Sequence, residues 1–154
     1  MSVKIIEYFD TDNKSHWNEA IDKGDWEAAR YLGKLLHEDK LRDLCGPKTK
    51  LFLVVDGDVL CSFCTLAEQD EIKAPEMTPW VGFVYTFPEF RGKHLASKVI
   101  DHACNYAKEL GFKEVYASPS LDTVELYEKY GFYCLDYTMT SIYGYETTVF
   151  CKEL

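Results

Sequence analysis

The sequence predicts an α/β domain with a mixed, mostly antiparallel central sheet flanked by helices. Three observations predict it. In the segment LFLVVDGDVLCSFCTL, two β-rich runs meet at Asp56-Gly57, a strong hairpin signal. Trp80 to Phe87 is a continuous apolar run, typical of a central strand that is covered on both faces. From Leu95 to Leu110 apolar residues recur at helical spacing, so strands and helices alternate in the second half of the chain.

The first half begins with a predicted strand from Lys4 to Tyr8 and a polar stretch. A helix is predicted after Gly24, with Asp25 as its N-cap and Gly46-Pro47 as its stop. The hairpin follows. The acidic segment from Ala67 to Thr78 is interrupted by proline, which predicts a loop that leads into the central strand.

In the second half, the long helix is predicted to close at Gly111. Asp122 and Glu125 resemble a capping box that opens a short helix ending at Gly131. β-rich runs predict three further strands, from Glu114 to Ala117, from Phe132 to Met139 and from Thr147 to Cys151.

Length and charge limit the function classes. The 154 residues, 47% of them hydrophobic, suit one domain over residues 1–154 with a core that needs no metal or disulfide. The net charge of -9 argues against a nucleic acid partner and favours a cationic small molecule or peptide amine. No apolar stretch resembles a signal peptide or a membrane span, so we expect a cytoplasmic protein that does not bind a membrane.

The six cysteines lie within apolar runs, which predicts reduced core thiols. Cys61 and Cys64 form the only CxxC pair. On a strand, side chains three residues apart point to opposite faces, so we expect no metal site there.

The segment TFPEFRGKHLASKVI runs from a buried strand through a basic turn into a helix. A helix N-terminus exposes unpaired N–H groups that favour an anion. Arg91 and Lys93 add positive charge, and Gly92 and Ala96 are small enough to let a pyrophosphate approach the backbone. The alternative interpretation is a structural connection with solvated basic residues.

Two motifs here resemble those of the GNAT N-acetyltransferase superfamily. RGKHLA matches the R/Q-x-x-G-x-G/A signature of its pyrophosphate loop, and VELYEKYGF matches its second signature, a helix with Leu-Tyr followed by Gly-Phe. The resemblance covers roughly residues 51–154. It implies a GNAT acetyltransferase domain that uses acetyl-CoA as cosubstrate.

The resemblance also implies roles for individual residues. Strand positions whose backbone would pair with pantetheine are Val84, Tyr85 and Thr86. The cofactor loop, whose amides would surround the pyrophosphate, comprises Arg91, Gly92, Lys93, His94, Leu95, Ala96 and Ser97. Tyr127 occupies the position of a tyrosine that protonates the departing thiolate, a suitable task for a phenol; its alternative role is packing on the sheet.

The chain departs from the family pattern at three positions. His94 stands where the family usually has glycine. Ser120 replaces an asparagine that contacts the cofactor in many members, so its contact stays an expectation. Gly82 occupies the strand position where many members carry a glutamate general base.

Acidic side chains precede that strand at Glu68, Asp70, Glu71 and Glu76. They form either a solvated face or the border of an acceptor pocket that holds an ammonium group. Because Gly82 has no proton acceptor, we expect the amine to lose its proton through water to this loop or directly to solvent. Trp80 is a candidate for apolar or cation–π contact with the acceptor.

The predicted function is transfer of an acetyl group from acetyl-CoA to a primary amine by direct attack. Backbone N–H groups near Val84 to Thr86 are candidates for polarising the thioester. Cysteine-based catalysis is a weaker alternative because no cysteine has a recognisable His partner. Two other classes remain open: a non-catalytic acyl-CoA-binding or sensor domain, and an interaction module whose aromatic-rich C-terminal hairpin pairs with a second copy as a homodimer.

Overall fold

A single seven-stranded sheet organises the molecule in the computed structural model, which describes residues 2–154. Met1, where the predicted domain begins, lies outside the described residues. The spatial order is β1-β2-β3-β4-β5-β7-β6; only β4 and β5 pair in parallel, which confirms the mixed, mostly antiparallel sheet. The strands are β1 (Lys4–Glu7), β2 (Lys50–Asp56), β3 (Val59–Ala67), β4 (Trp80–Thr86), β5 (Glu114–Ala117), β6 (Tyr133–Thr140) and β7 (Glu146–Glu153).

Helices cover both faces of this sheet. They are α1 (Lys14–Asp22), α2 (Glu27–His37), α3 (Leu41–Cys45), α4 (Leu95–Glu109) and α5 (Val124–Lys129). On one face, Val99 and Ile100 of α4 are fully buried in a cluster with β2, β3 and β4. On the other face, Ile21 of α1 and Leu32 of α2 are equally buried in a second cluster. Within residues 2–154, no helix has the length and apolarity needed to cross a membrane.

One helix of the first half was not predicted, and one predicted cap was wrong. The polar stretch, to which no element was assigned, forms α1, which packs through Trp17 and Ile21; two large apolar residues in nine are a weak periodic signal. The predicted cap at Asp25 is wrong, because α2 begins at Glu27 and the Asp25 carboxylate instead accepts a hydrogen bond from Tyr85. The helical region does stop at Gly46, which has a φ of 112°.

The predicted capping box at Asp122 is absent from the described residues: α5 begins at Val124, and the Asp122 carboxylate accepts a hydrogen bond from Ser120 Oγ at 2.7 Å. Cys61 and Cys64 also depart from prediction. A bulge shifts the register between β2 and β3 next to Cys61, so both thiols lie in the cluster beneath α4 rather than on opposite faces.

The pairing of β4 with β5 positions the site. These strands pair at Trp80 and Tyr116 and then part, so the rest of β4 has an open edge. In the same region Gly82 faces Thr65 of β3 while Tyr85 faces Phe63, which leaves two β4 residues opposite one residue of β3. This bulge contains Phe83, whose φ is +48°, a strained value for a residue with a side chain.

Candidate active site

A cavity of about 780 Å³ opens where β4 and β5 part. Its floor is the bulged part of β4, including Gly82, Phe83 and Val84. The walls come from five further regions: the start of α2, the end of α3, the loop after β3, the segment from Ser118 through α5, and the turn between β6 and β7. Residues far apart in sequence therefore converge at the open edge of one strand.

The β4 backbone presents hydrogen-bonding groups to this opening. The Tyr85 carbonyl accepts a hydrogen bond from Ser62 Oγ at 2.7 Å, so it faces β3. Backbone groups of successive strand residues point to opposite edges, which directs those of Val84 and Thr86 toward the open side. Two of the three predicted pantetheine partners thus face the opening, whereas the Tyr85 backbone faces away.

The N-terminus of α4 supplies further N–H groups. Leu95, Ala96 and Ser97 form its first turn, whose amides have no partner within the helix. His94 precedes them with a φ of 61° and an exposed side chain, so this position takes the left-handed conformation that glycine adopts most readily. Gly92 has a φ of 81° and open space around its α-carbon, which leaves the backbone accessible to a bulky anion.

Arg91 points toward β4. Its Nε donates to the Thr86 carbonyl at 2.9 Å, and Nη2 lies 3.1 Å from Asp25 Oδ1. The Tyr85 hydroxyl donates to the same carboxylate. Arg91 therefore links the turn before α4 to β4 and to the segment that precedes α2. These contacts offer an alternative to the predicted role: Arg91 holds these segments together rather than binding the cofactor directly.

Tyr127 lines the cavity from α5, as its predicted role requires. Its side chain is largely buried, and burial together with the charges of Cys64 and Asp70 raises the pKa of its hydroxyl above the ordinary value. The hydroxyl is thus protonated at neutral pH, as a proton donor must be. Ser120 also lines the cavity, with its hydroxyl bonded to Asp122 and Thr123.

The four acidic candidates separate into two groups. Glu68 bonds to the Lys48 amide, and Glu76 is exposed; neither lines the cavity. Asp70 and Glu71 do line it. Both Glu71 oxygens are engaged, because Oε1 accepts from Ser118 Oγ at 2.8 Å and Oε2 accepts from the Tyr145 hydroxyl.

Asp70 occupies the space that Gly82 leaves free. A β-carbon placed on Gly82 would lie 3.3 Å from both Asp70 carboxylate oxygens. Within residues 2–154 this carboxylate accepts no side-chain hydrogen bond. Burial, and then the Glu71 charge, raise its pKa to about 7, against the weaker opposing effects of the Glu71 amide and Lys73.

Burial excludes two other predicted roles, those of Trp80 and of a catalytic cysteine. Trp80 is completely buried, donates from Nε1 to the Met77 carbonyl at 2.6 Å and packs on Tyr116, so the suggested contact with an acceptor is wrong. Cys45 lines the cavity, but burial raises its pKa to about 12, which makes it a poor nucleophile. Among residues 2–154, no three His, Cys, Asp or Glu side chains cluster tightly enough for a metal ion.

Sequence reasoning missed the aromatic side chains of the cavity. Apart from Tyr127, they are Trp26, Tyr31, Phe83, Tyr130, Tyr143 and Tyr145. Tyr143 Oη lies 3.2 Å from Tyr31 Oη, and the Ile142 amide donates to the Glu71 carbonyl at 2.7 Å, so the β6–β7 turn bridges to α2 and to the acidic loop. No local pattern marks these residues, because they meet only through the long-range fold.

Comparisons of the sequence and of the structure with known proteins identify the same family. The sequence model of the acetyltransferase (GNAT) family matches residues 14–132. No curated protein sequence matches the chain. Among solved structures, a GNAT-family protein from Desulfovibrio desulfuricans is similar over 99% of both chains, with 14% identity and a TM-score of 0.74.

Two further structures have the same architecture. An acetyltransferase from Streptococcus agalactiae is 16% identical over 99% of this chain and 98% of its own, with a TM-score of 0.69. An aminoglycoside 6'-acetyltransferase type Ii is 15% identical over 99% and 97%, with a TM-score of 0.71. At such identities, these structures establish the shared fold.

Proposed function

Because the chain belongs to the GNAT acetyltransferase family, we propose that it transfers an acetyl group from acetyl-CoA to a primary amine. The observation that carries the proposal is the opening between β4 and β5 at the bulge. An exposed strand edge, a buried tyrosine hydroxyl and the Asp70 carboxylate, which within residues 2–154 has no side-chain partner, meet around this one cavity.

The α4 N-terminus suits the pyrophosphate of acetyl-CoA. Free amides of the first helical turn and the positive end of the helix dipole favour a bound anion. The positive φ values of Gly92 and His94 turn the preceding loop into that helix. The amides of residues 92 to 97 would then surround the phosphates, whereas the Arg91 amide donates to the Pro88 carbonyl at 3.3 Å and would contribute through its side-chain charge. The open edge of β4 would pair with the pantetheine arm through the backbone of Val84 and the N–H of Thr86, because the Thr86 carbonyl already accepts from Arg91 Nε.

The reaction is direct attack of the neutral amine nitrogen on the thioester carbonyl carbon. Alignment of two bound reactants contributes roughly 7 to 11 kcal/mol in favourable cases. The N–H of Val84, which lines the cavity, would stabilise the oxyanion. As the carbon–sulfur bond breaks, Tyr127 donates its proton to the thiolate, and the second proton of the attacking nitrogen restores the phenol through water.

The competing candidate is a non-catalytic acyl-CoA sensor, which the glycine at position 82 favours. The Asp70 carboxylate beside that glycine supports catalysis instead. Homodimer formation through the C-terminal hairpin has less support, because the tip of this hairpin contacts α2 and the acidic loop of its own chain.

Turnover with a panel of primary amines tests the proposal. The purified protein is incubated with acetyl-CoA and each amine, free CoA is measured by a thiol assay, and the acetylated amine is identified by mass spectrometry. We expect amine-dependent release of CoA with one acetyl group transferred per CoA. Tight binding of acetyl-CoA in calorimetry without transfer to any amine would establish the sensor, and absence of CoA binding would reject both.

A further inference from the structure

The charge of the cavity wall limits the acceptor. Three carboxylates line it, from Glu27, Asp70 and Glu71. None of the described lining residues is Lys, Arg or His. A wall with this charge attracts a cation and repels a carboxylate, because no basic group is present to pair with an anion.

The remaining wall is largely aromatic. Trp26 and Tyr31 line it at the start of α2, where the Tyr31 hydroxyl lies 3.2 Å from that of Tyr143. Tyr143 and Tyr145 line it from the β6–β7 turn, stacked with ring centroids 6.4 Å apart. Tyr143 is 55% exposed, Tyr145 is 49% exposed and both line the cavity, so part of their ring surface is accessible to a ligand. Rings in this arrangement contact a flat apolar ligand over a large area and attract a cation to their faces.

From these observations we infer that the acceptor is a primary ammonium carried on an uncharged aromatic body, an arylalkylamine. This inference rests on the proposed function and names its substrate class. The aromatic body would lie against these four rings, with the ammonium directed toward Asp70 and Glu71. A polyhydroxylated acceptor would leave most of the ring surface without an apolar partner.

Binding and turnover test the acceptor class separately. Quenching of Trp26 fluorescence by 2-phenylethylamine measures binding without acetyl transfer, and Trp26→Phe identifies the signal of that residue. In turnover, we expect kcat/KM for 2-phenylethylamine to exceed that for propylamine or kanamycin at least ~10-fold, equivalent to ~1.4 kcal/mol. Tyr31→Ala and Tyr143→Ala should remove the preference, whereas Tyr137→Ala, an exposed tyrosine of β6 outside the cavity, should retain it.

Binding of 2-phenylethylamine without any acetylation would contradict the proposed function but would still support an arylalkylamine as the ligand of the cavity. Acetylation of propylamine or kanamycin at least as efficiently as 2-phenylethylamine would overturn the class and leave the function standing.

A second inference rests on the contact between Asp70 and Gly82. The β4 floor has no carboxylate of its own, and the Asp70 oxygens fill the position beside it from the neighbouring loop. The same carboxylate shares the cavity with Tyr127 and with the bulge. We propose that Asp70 is the general base of the reaction and takes the proton from the acceptor ammonium.

The proton balance of this step is complete. One proton passes from the ammonium nitrogen to an Asp70 oxygen and then to water, which leaves the nitrogen lone pair free to form the carbon–nitrogen bond. The raised pKa of Asp70, about 7, favours this transfer. From an amine of pKa ~10 to this carboxyl, the transfer is unfavourable by ~10³-fold, against ~10⁶-fold for an ordinary aspartate.

The charged and titratable groups around Asp70 are few. Its own loop contributes Glu71 and Lys73, and the Lys73 ammonium donates to the Leu44 carbonyl at 2.6 Å. The facing elements contribute the thiol and phenol groups of Cys45, Tyr127, Tyr143 and Tyr145. None of these facing groups is positively charged, so the carboxylate is available to an ammonium.

The pH profile of kcat/KM for the acceptor tests the base. For wild-type protein we expect a rise that levels off above a pKa near 7. Asp70→Asn should reduce kcat/KM at neutral pH by ~10²-fold or more, and its rate should keep rising with pH toward the ionisation of the amine. A uniform loss at every pH, with the plateau retained, would show a merely structural role and overturn the proposal.

A double variant that moves the carboxylate from position 70 to position 82 should restore part of the activity. In Asp70→Gly combined with Gly82→Asp, the acidic group moves onto the β4 floor, into space that the wild-type carboxylate fills. We expect at least ~10-fold recovery over Asp70→Gly alone. Asp70→Gly with Gly82→Asn is the matched control without charge, and equal rates for the two double variants would contradict the role.

A binding measurement separates this proposal from the proposed function. At pH 6, Asp70 is mostly protonated, so binding of the 2-phenylethylammonium ion should release a proton. Calorimetry in buffers of different ionisation enthalpy measures this release without acetyl transfer. We expect nearly one proton for wild type and none for Asp70→Asn; equal release by both proteins would overturn the assignment.

Discussion

The two halves of the cleft that we propose bind acetyl-CoA and the acceptor, called here the cofactor half and the acceptor half, are built from different chemical groups. Amides of the α4 first turn and the free edge of β4 form the cofactor half, and their position depends on backbone conformation. Side chains from α2, the acidic loop and the β6–β7 turn form the acceptor half. A backbone site tolerates many side chains, whereas a side-chain site changes its ligand with each substitution, so the two halves should respond differently to mutation.

Removal of the Tyr127 hydroxyl should have the largest effect, because this group acts where the halves meet. Tyr127→Phe keeps the ring in its packed position, and a general acid typically contributes ~10²- to 10⁴-fold. We expect a fall of that size in kcat with nearly unchanged acetyl-CoA affinity. Steady-state kinetics and calorimetry measure the two quantities, with Tyr130→Phe, a neighbouring tyrosine of the same cavity, as control. Wild-type kcat in Tyr127→Phe would contradict the role.

Ionisation of Asp70 in the acceptor half should lower the free energy of unfolding at high pH. Its folded pKa of about 7 lies above the unfolded value of ~3.9, so ionisation destabilises the folded state progressively from pH 4 to 7 and fully above 7. Asp70 is partly exposed, so solvent weakens this destabilisation. We expect Asp70→Asn, which cannot ionise, to raise the free energy of unfolding by about 2 to 4 kcal/mol at pH 8 and by little at pH 4.

Urea unfolding at both pH values measures this difference. Glu76→Gln removes an exposed carboxylate of the same loop and should change stability little at either pH. An effect of Asp70→Asn that is equal at pH 4 and pH 8 would exclude the ionisation of Asp70 as its source.

The cofactor half should respond to loss of one amide rather than to change of a side chain. Ala96→Pro removes an N–H that has no partner within α4, at a position in the first turn where proline is tolerated. Loss of one hydrogen bond to a charged phosphate should weaken acetyl-CoA binding by ~10- to 100-fold. Ala96→Ser retains the amide and should bind normally. Equal acetyl-CoA affinities of the two variants, measured by calorimetry, would show that the amide of residue 96 does not bind the cofactor.

The smallest expected effect concerns His94. Its left-handed conformation is unfavourable for a residue with a side chain, and glycine adopts it without that strain, although glycine also loses more entropy on folding. We expect His94→Gly to raise the free energy of unfolding by ~0.5 to 1 kcal/mol and to leave acetyl-CoA affinity unchanged. A large loss of affinity would show that the imidazole itself contacts the cofactor.

The contrast between the halves also explains what the sequence could predict. The cofactor half follows from one contiguous strand-turn-helix segment, so residues 80–110 were predicted almost to the residue. The acceptor half depends on the register shift at Phe83 and on contacts such as Tyr31 with Tyr143, which are 112 residues apart. Asp70 was one of four equivalent acidic candidates, because only the fold brings it against Gly82.

The bulge at Phe83 limits how the length of this protein can vary. Deletion of one residue from the bulge would leave Gly82 opposite Thr65 and Tyr85 opposite Phe63, so β4 would pair regularly with β3 and lose the distortion that shapes the cavity floor. In the loop between Ala67 and Trp80, an insertion beyond Asp70 leaves the strand register intact. Natural variants should therefore tolerate insertions and deletions in that loop and exclude them from β4.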